Sequence, residues 1–299
     1  MTLPKILLFD LDETIVFSEE MKTKAWSDIL KVFGYCWEEE NVDNLVSVPK
    51  YKRPNTGLSP HDFIENLIVN LKLPTLNYQD NHEVMIQIMK DHWTSSLIAQ
   101  AKLFAKEGRI IEVPGAVNTI KEARKKGFRI GVVTQSPVEY AKEVLSFLGL
   151  VDRDNEENNT VDVVVSGDMV KRPKPDPESL ILATKLIVIQ TVIEEREKDS
   201  MRKLDMKEKM EIGYSIDHEY FSSHIGRGLP TPFAVIGDSR SDIKAGQRYP
   251  GTGRIRKVLI NSRNLSPAEI QEIQPNITIN HFEELLPRLE GNISKREKL

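Results

Sequence analysis

Asp10 and Asp12 stand two residues apart, directly after the apolar run Ile6–Phe9. Two carboxylates so close repel each other unless a cation or a proton lies between them. A hard divalent ion such as Mg²⁺ takes oxygen ligands and would relieve that repulsion; a polar turn accounts for the pair as well. Thr134 and Gln135 follow a second apolar run. A hydroxyl and free backbone N–H groups there could cradle a phosphate oxygen, or Ser136 could simply cap the helix that follows. Lys174 lies between Pro173 and Pro175. A lysine with little backbone freedom suits a place where negative charge builds on a transferring phosphoryl group; the plain alternative is a Pro-rich turn before a helix starting near Glu178. Asp238 and Asp242 follow a further run, four residues apart. A helical turn would set both carboxylates on one side, and a helix dipole would favour an acid there without any chemistry.

These residues need elements to position them. The runs Ile6–Phe9, Ile130–Val133, Val161–Val165, Ala234–Ile236, Val258–Ile260 and Ile277–Ile279 read as parallel strands buried on both faces. Helical stripes separate them. Val138, Ala141, Val144, Leu145 and Leu148 share one face before Gly149, and Val117, Ile120 and Ala123 precede Gly127. The alternation predicts an α/β protein with a doubly wound parallel sheet. Ligands of such sheets bind beyond the carboxyl ends of the strands, where the residues above are found. The stretch 18–111 differs. It carries helical stripes (Phe63, Leu67 and Leu71; Val84, Met85, Ile88 and Met89) and few strand runs, so it reads as a smaller helical insert. The expected division is a core of 1–17 and 112–299 around a helical domain of 18–111. A charged insertion occupies 184–230. Its most charged part, Glu194 to Glu211, reads as a solvated helix laced with ion pairs or as a loop.

Composition narrows the classes. There are 41 Lys and Arg against 45 Asp and Glu, a net charge of −4, which gives no support to nucleic-acid binding. Cys36 is the single cysteine, so no intrachain disulfide and no CxxC site is possible. The opening apolar run is too short for a signal-peptide core, and no later run approaches the ~20 residues of a bilayer span, so no membrane partner and a cytoplasmic setting are expected.

Taken together, the four strand ends resemble the motifs of the haloacid dehalogenase (HAD) superfamily. Asp-x-Asp-x-Thr is matched at Asp10, Asp12 and Thr14, and the strand ending in Thr at Thr134. Lys-Pro-Asp-Pro-Glu is matched at Lys174 to Glu178, and Gly-Asp-x-x-x-Asp at Gly237, Asp238 and Asp242. Val113 to Ala116 and His281 to Leu286 are also similar to this family. The resemblance implies a Rossmann-like core with an α-helical cap inserted after the first motif. It implies a Mg²⁺-dependent phosphatase acting on a small phosphorylated metabolite through an aspartyl phosphate. Asp10 would be the nucleophile and Asp12 the general acid and base. Thr14, Thr134 and Gln135 would serve the phosphoryl group, and Lys174 would neutralise charge. Asp10, Asp238, Asp242 and the Asp12 backbone carbonyl would hold the metal.

Asp12 disfavours the dehalogenase branch, which lacks an acid there, and the phosphonate hydrolases, which carry a small residue. Glu13 replaces the more common Gly. A sugar phosphomutase is the alternative of the same fold. Its cap-loop Arg would fall at Pro60 in Gly57 to Asp62, and Lys50, Lys52 and Arg53 could substitute for it. His61 reads as a cap surface residue. A non-catalytic binding protein working through the charged segment is the alternative from another class; such a protein has no chemical reason to retain all these side chains. The sequence is compatible with a monomer or a homodimer.

Overall fold

A computed structural model describes residues 4–40, 42–48, 61, 64–66, 68, 82–155, 158–217, 230–251 and 254–294. The strands are β1 (Ile6–Phe9), β2 (Val16–Phe17), β3 (Tyr35–Trp37), β4 (Val46–Val48), β5 (Ile111–Glu112), β6 (Arg129–Val133), β7 (Val163–Val165), β8 (Ala234–Gly237), β9 (Arg256–Ile260) and β10 (Ile277–Ile279). The α-helices used below are α1 (Glu19–Val32), α2 (His82–Lys106), α3 (Ala116–Lys125), α4 (Val138–Phe147), α5 (Glu178–Ser200), α6 (Met206–Ile216), α7 (Arg240–Arg248), α8 (Pro267–Ile273) and α9 (Leu285–Ser294).

Six strands form one sheet in the order β10-β9-β8-β1-β6-β7. Every pairing in it is parallel, with Leu7 opposite both Ile130 and Ala234. Both faces are covered, so all four residues of β1 are buried. Leu7 and Phe9 pack on one side, with Ile120, Val144 and Phe282; Ile6 and Leu8 pack on the other, against Ile187 and Val188 of α5. The fold is therefore the doubly wound α/β class. The strand read at Val161–Val165 is shorter than its apolar run: it begins at Val163, and the Asp162 carboxylate accepts the Ile130 N–H at 2.6 Å while pairing with Arg124 and Arg129.

The stretch between β2 and β5 is not purely helical. β3 and β4 pair in parallel, and β2 pairs antiparallel with β5 through Val16–Glu112 and Phe17–Ile111. Both strand pairs are too short to show as periodic runs. α1 packs against α2, with Trp26 and Trp93 stacked at 5.1 Å. The α2 stripe is also displaced from its expected position. Met85, Met89, Trp93 and Leu97 are buried at helical spacing, whereas Val84 and Ile88 are exposed. Phe63, Leu67 and Leu71 lie outside the described residues.

The charged segment forms the end of α5, a turn and α6. Ion pairs do lace it: Arg202 with Glu208, and Lys209 with Glu197 at 3.0 Å. Ile212 and Ile216 bury the inner face of α6. No described helix is long and apolar enough to cross a membrane.

Glu13 links strand end to insert. Its backbone is left-handed, with φ 58°, a conformation that costs a residue with a Cβ about 1 kcal/mol. Its carboxylate accepts from the backbone N–H of Ser18 at 2.8 Å and of Glu19 at 3.1 Å. Those donors belong to the opening turn of α1, where Ser18 makes no side-chain cap of its own. Glu13→Ala keeps the backbone strain and loses the cap, so it should lower stability by about 1 kcal/mol in urea unfolding. Glu13→Gly also loses the cap but relieves the strain, and should fall closer to wild type. Equal stability of wild type and the Ala variant would remove the capping role.

Candidate active site

The carboxyl ends of β1, β6 and β8 bring the singled-out residues to one place. Asp10 leaves β1 with its backbone N–H bonded to Ile236 O at 2.8 Å, so the neighbouring strand fixes where its side chain begins. Lys174 comes from the loop before α5 and is buried. Its ammonium reaches Asp10 Oδ1 at 2.5 Å, Asp242 Oδ1 at 2.6 Å and Val133 O at 2.9 Å. Three acceptors thus match the three protons of the group. Burial alone would lower its pKa, but the two carboxylates hold it above the ordinary lysine value.

Asp242 answers to both readings of its motif. It is the third residue of α7 and completes a capping box with Ser239, and the same carboxylate grips Lys174. Gly237 makes that approach possible. A Cβ there would lie 2.4 Å from the Asp242 carboxyl group, so a side chain would push the acid off the lysine. Asp238 is buried beside it. Its Oδ1 accepts from Thr14 Oγ1 at 3.3 Å, and its Oδ2 lies against the guanidinium of Arg263. Asp10, Asp238 and Asp242 each place a carboxylate oxygen within 4.8 Å of the others.

Crowding shows in the protonation of these acids. Burial pushes Asp10 well above the usual carboxylate range; Lys174 pulls it back, and Asp242 and Asp238 push it further up. Burial pushes Asp238 up to about 7 against the pull of Arg263, with Asp242 adding to the rise. Asp12 behaves in the opposite way. Burial would raise it, but the Lys22 ammonium and the Ser136 hydroxyl bring it down to about 2. Lys22 Nζ lies 2.9 Å from Asp12 Oδ2. Ser136 Oγ donates to the same oxygen at 2.6 Å and Thr134 Oγ1 at 3.2 Å, while Tyr140 OH donates to Oδ1 at 3.0 Å.

Of the expected residues, Asp10, Lys174, Asp238 and Asp242 form one cluster. Asp12 and Thr134 sit beside it in a second one. Thr14 is fully buried and turned to Asp238. Gln135 sends its side-chain amide to Lys174 O at 3.0 Å. Ser136 does not cap α4: the capping position is Pro137, and the Ser136 hydroxyl turns to Asp12 instead. Sequence reasoning missed Lys22, Tyr140 and Arg263. Lys22 and Tyr140 lie on helices at no motif spacing. Arg263 lies in a loop after β9 that carries no motif residue. The cap loop of the phosphomutase reading lies outside the described residues except for His61, whose ring is 3.8 Å from Glu83. Lys50, Lys52 and Arg53 also lie outside them.

The family model for haloacid dehalogenase-like hydrolases matches residues 4–192, and the chain belongs to that family. It is 22% identical over 189 residues to validoxylamine A 7'-phosphate phosphatase of Streptomyces hygroscopicus subsp. limoneus, covering 62% of this chain and 72% of that protein. It is 24% identical over 190 residues to phosphoglycolate phosphatase 1 of Pseudomonas aeruginosa, covering 63% of this chain and 60% of that one. Among solved structures, CbbY from Rhodobacter sphaeroides in complex with phosphate superposes with a TM-score of 0.61 at 19% identity, covering 96% of this chain and 100% of that one. The fold is shared with it.

Gly237→Ala should displace Asp242 and lower stability by about 1–3 kcal/mol, as overpacking does; an unchanged denaturation midpoint would mean that the loop absorbs the methyl group. Lys22→Met tests the second cluster. The depressed Asp12 pKa stabilises the fold above its ordinary value of about 4, and this stability is lost as pH falls through about 2. With the Lys22 side chain 30% exposed, its share is about 1 kcal/mol. Urea unfolding should therefore show Lys22→Met less stable at neutral pH, with the difference shrinking below about pH 3.

Proposed function

We propose that this chain is a phosphatase that cleaves a small phosphate monoester through phosphorylated Asp10, with a divalent cation, Mg²⁺ by its oxygen chemistry, at Asp10, Asp238 and Asp242. The observation that carries the proposal is the Lys174 ammonium 2.5 Å from Asp10, beside two further carboxylates. A nucleophilic carboxylate with a fixed positive neighbour suits phosphoryl transfer, which depends on positioning and charge stabilisation. The residues fit a hard cation. All three donors are oxygens, the three carboxylates outnumber the two cations that meet them, Lys174 and Arg263, and Asp238 Oδ2 accepts no hydrogen bond among the described residues. When bound, the cation would supply positive charge beside Asp10 and the phosphoryl oxygens, and so favour ionised Asp10.

The rest is the work of side chains. An Asp10 oxygen attacks phosphorus as the bond to the leaving oxygen breaks. Thr134 Oγ1 and the Gln135 backbone N–H hold the phosphoryl oxygens, and Lys174 offsets the charge. The leaving oxygen takes a proton from Asp12. Water then attacks phosphorus, its proton returns to Asp12, and Asp10 is released with inorganic phosphate. Asp12 enters this sequence from an ionised state held by Lys22 and Ser136. It must exchange those partners for the substrate and take up a proton from solvent before the first step; as observed, ionised, it suits the base step. Thr14 orients Asp238. Stretch 18–111 acts as the cap that excludes water from the first step. The relatives named for phosphatases of validoxylamine A 7'-phosphate and of phosphoglycolate support a small phosphorylated substrate.

Phosphate release from a panel of phosphorylated metabolites tests the reading, comparing wild type with Asp10→Asn, each in Mg²⁺ and in EDTA. Release is expected from wild type in Mg²⁺ alone. The Asn variant should fold and lose at least about 10³-fold in turnover, because the amide cannot serve as the nucleophile. Retained activity in that variant would sink the assignment of Asp10.

A further inference from the structure

Two cations face the carboxylate cluster, and they are held in different ways. Lys174 spends all three protons on aligned acceptors and is buried. Arg263 reaches the cluster at Asp238, from the loop between β9 and α8. Its side chain is 28% exposed, against 2% for the Asp238 side chain it meets. Its Nε approaches Asp238 Oδ2 without forming an aligned hydrogen bond. Strong arginine–carboxylate pairs present two parallel N–H bonds to the two oxygens. Here the approach is through Nε to Oδ2, while Asp238 Oδ1 accepts from Thr14.

The loop delivers Arg263 to this spot rather than leaving it to drift. Asn261 N donates to Ile279 O at 2.8 Å, and Asn261 Oδ1 accepts from Leu265 N at 2.6 Å. Ser262 Oγ donates to Glu13 O at 2.6 Å, which ties the loop to the first catalytic strand end. The guanidinium therefore stands against the Asp238 oxygen that accepts no hydrogen bond among the described residues, on a carboxylate of the cluster that could hold a metal.

We propose that Arg263 is a resident counter-ion that competes with the divalent cation for Asp238 and thereby weakens cation binding. The inference rests on the cation reading given under Proposed function. Arg263 is a positioning residue in this scheme and has no contact with the reacting phosphoryl group. Without a cation, its positive charge offsets the repulsion among Asp10, Asp238 and Asp242. With a cation, the guanidinium is a second positive charge close to the first, and it must yield. A fixed arginine can thus hold an acidic cluster together while keeping its affinity for metal moderate.

The test is calorimetric titration of MgCl₂ into chelator-treated full-length protein: wild type, Arg263→Gln and Arg263→Lys. Arg263→Gln should bind Mg²⁺ about tenfold more tightly, since a like charge has been removed from within a few ångströms. Arg263→Lys keeps the charge and should stay within about threefold of wild type. Melting temperatures supply a second readout. In EDTA, Arg263→Gln should melt below wild type, and saturating Mg²⁺ should close that gap. A role in loop packing alone would lower both melting temperatures equally and leave Mg²⁺ affinity unchanged; either result overturns the inference. Wild type that takes up no Mg²⁺ would overturn the cation reading itself, and the Arg263 inference with it. Normal uptake by wild type with equal or weaker uptake by Arg263→Gln would overturn the Arg263 inference alone.

Discussion

A buried ammonium group organises the centre of this molecule. Lys174 reaches the end of β1 through Asp10, the end of β6 through Val133 O, and the first turn of α7 through Asp242. An uncompensated charge at that depth would cost several kcal/mol. The two strand ends and the helix turn must therefore present their acceptors together, and the parallel sheet helps because neighbouring strands end at the same level. The apolar faces of β1 then have a single register that keeps Asp10 at the lysine. A one-residue slip would bury polar groups and break all three bonds at once.

Around that centre, the two acids of the first motif are treated differently though only two residues separate them. Burial, with neighbouring carboxylates, pushes Asp10 up despite Lys174, whereas Asp12 faces donors from three places in the chain and is pulled down against its burial. Local sequence is the same kind for both, so the contrast comes from tertiary packing. α1 brings Lys22, α4 brings Tyr140, and the turn before α4 brings Ser136. Substrate binding has to reverse part of this asymmetry for the proposed first step, and Lys22 sits on α1, between β2 and β5.

Much of the core could be read from the chain, and the reasons are physical. Strands such as Ile6–Phe9 are buried on both faces, so they appear as unbroken apolar runs. Motif acids appear because they follow those runs directly. What escaped has equally plain causes. Tyr140 lies in a helix whose apolar stripe already explained the element, and its hydroxyl gives no pattern. Arg263 acts through a loop, and loops carry no periodicity. The strand pairs Val16–Phe17 with Ile111–Glu112 and Tyr35–Trp37 with Val46–Val48 are two or three residues long. Alternation cannot be seen over so few positions. Glu13 showed itself only as a departure from glycine; its role as a helix cap depends on a turn that no spacing rule encodes.

The antiparallel pair of β2 and β5 has a consequence for how this chain can change. The polypeptide leaves the sheet region at Phe17 and returns at Ile111, and these two residues face each other across the ladder. Ends that lie side by side can be joined by a tight turn. The described elements between them thus leave and rejoin the core at one place. A lineage could lengthen, shorten or exchange this stretch without disturbing a single pairing of the six-stranded sheet.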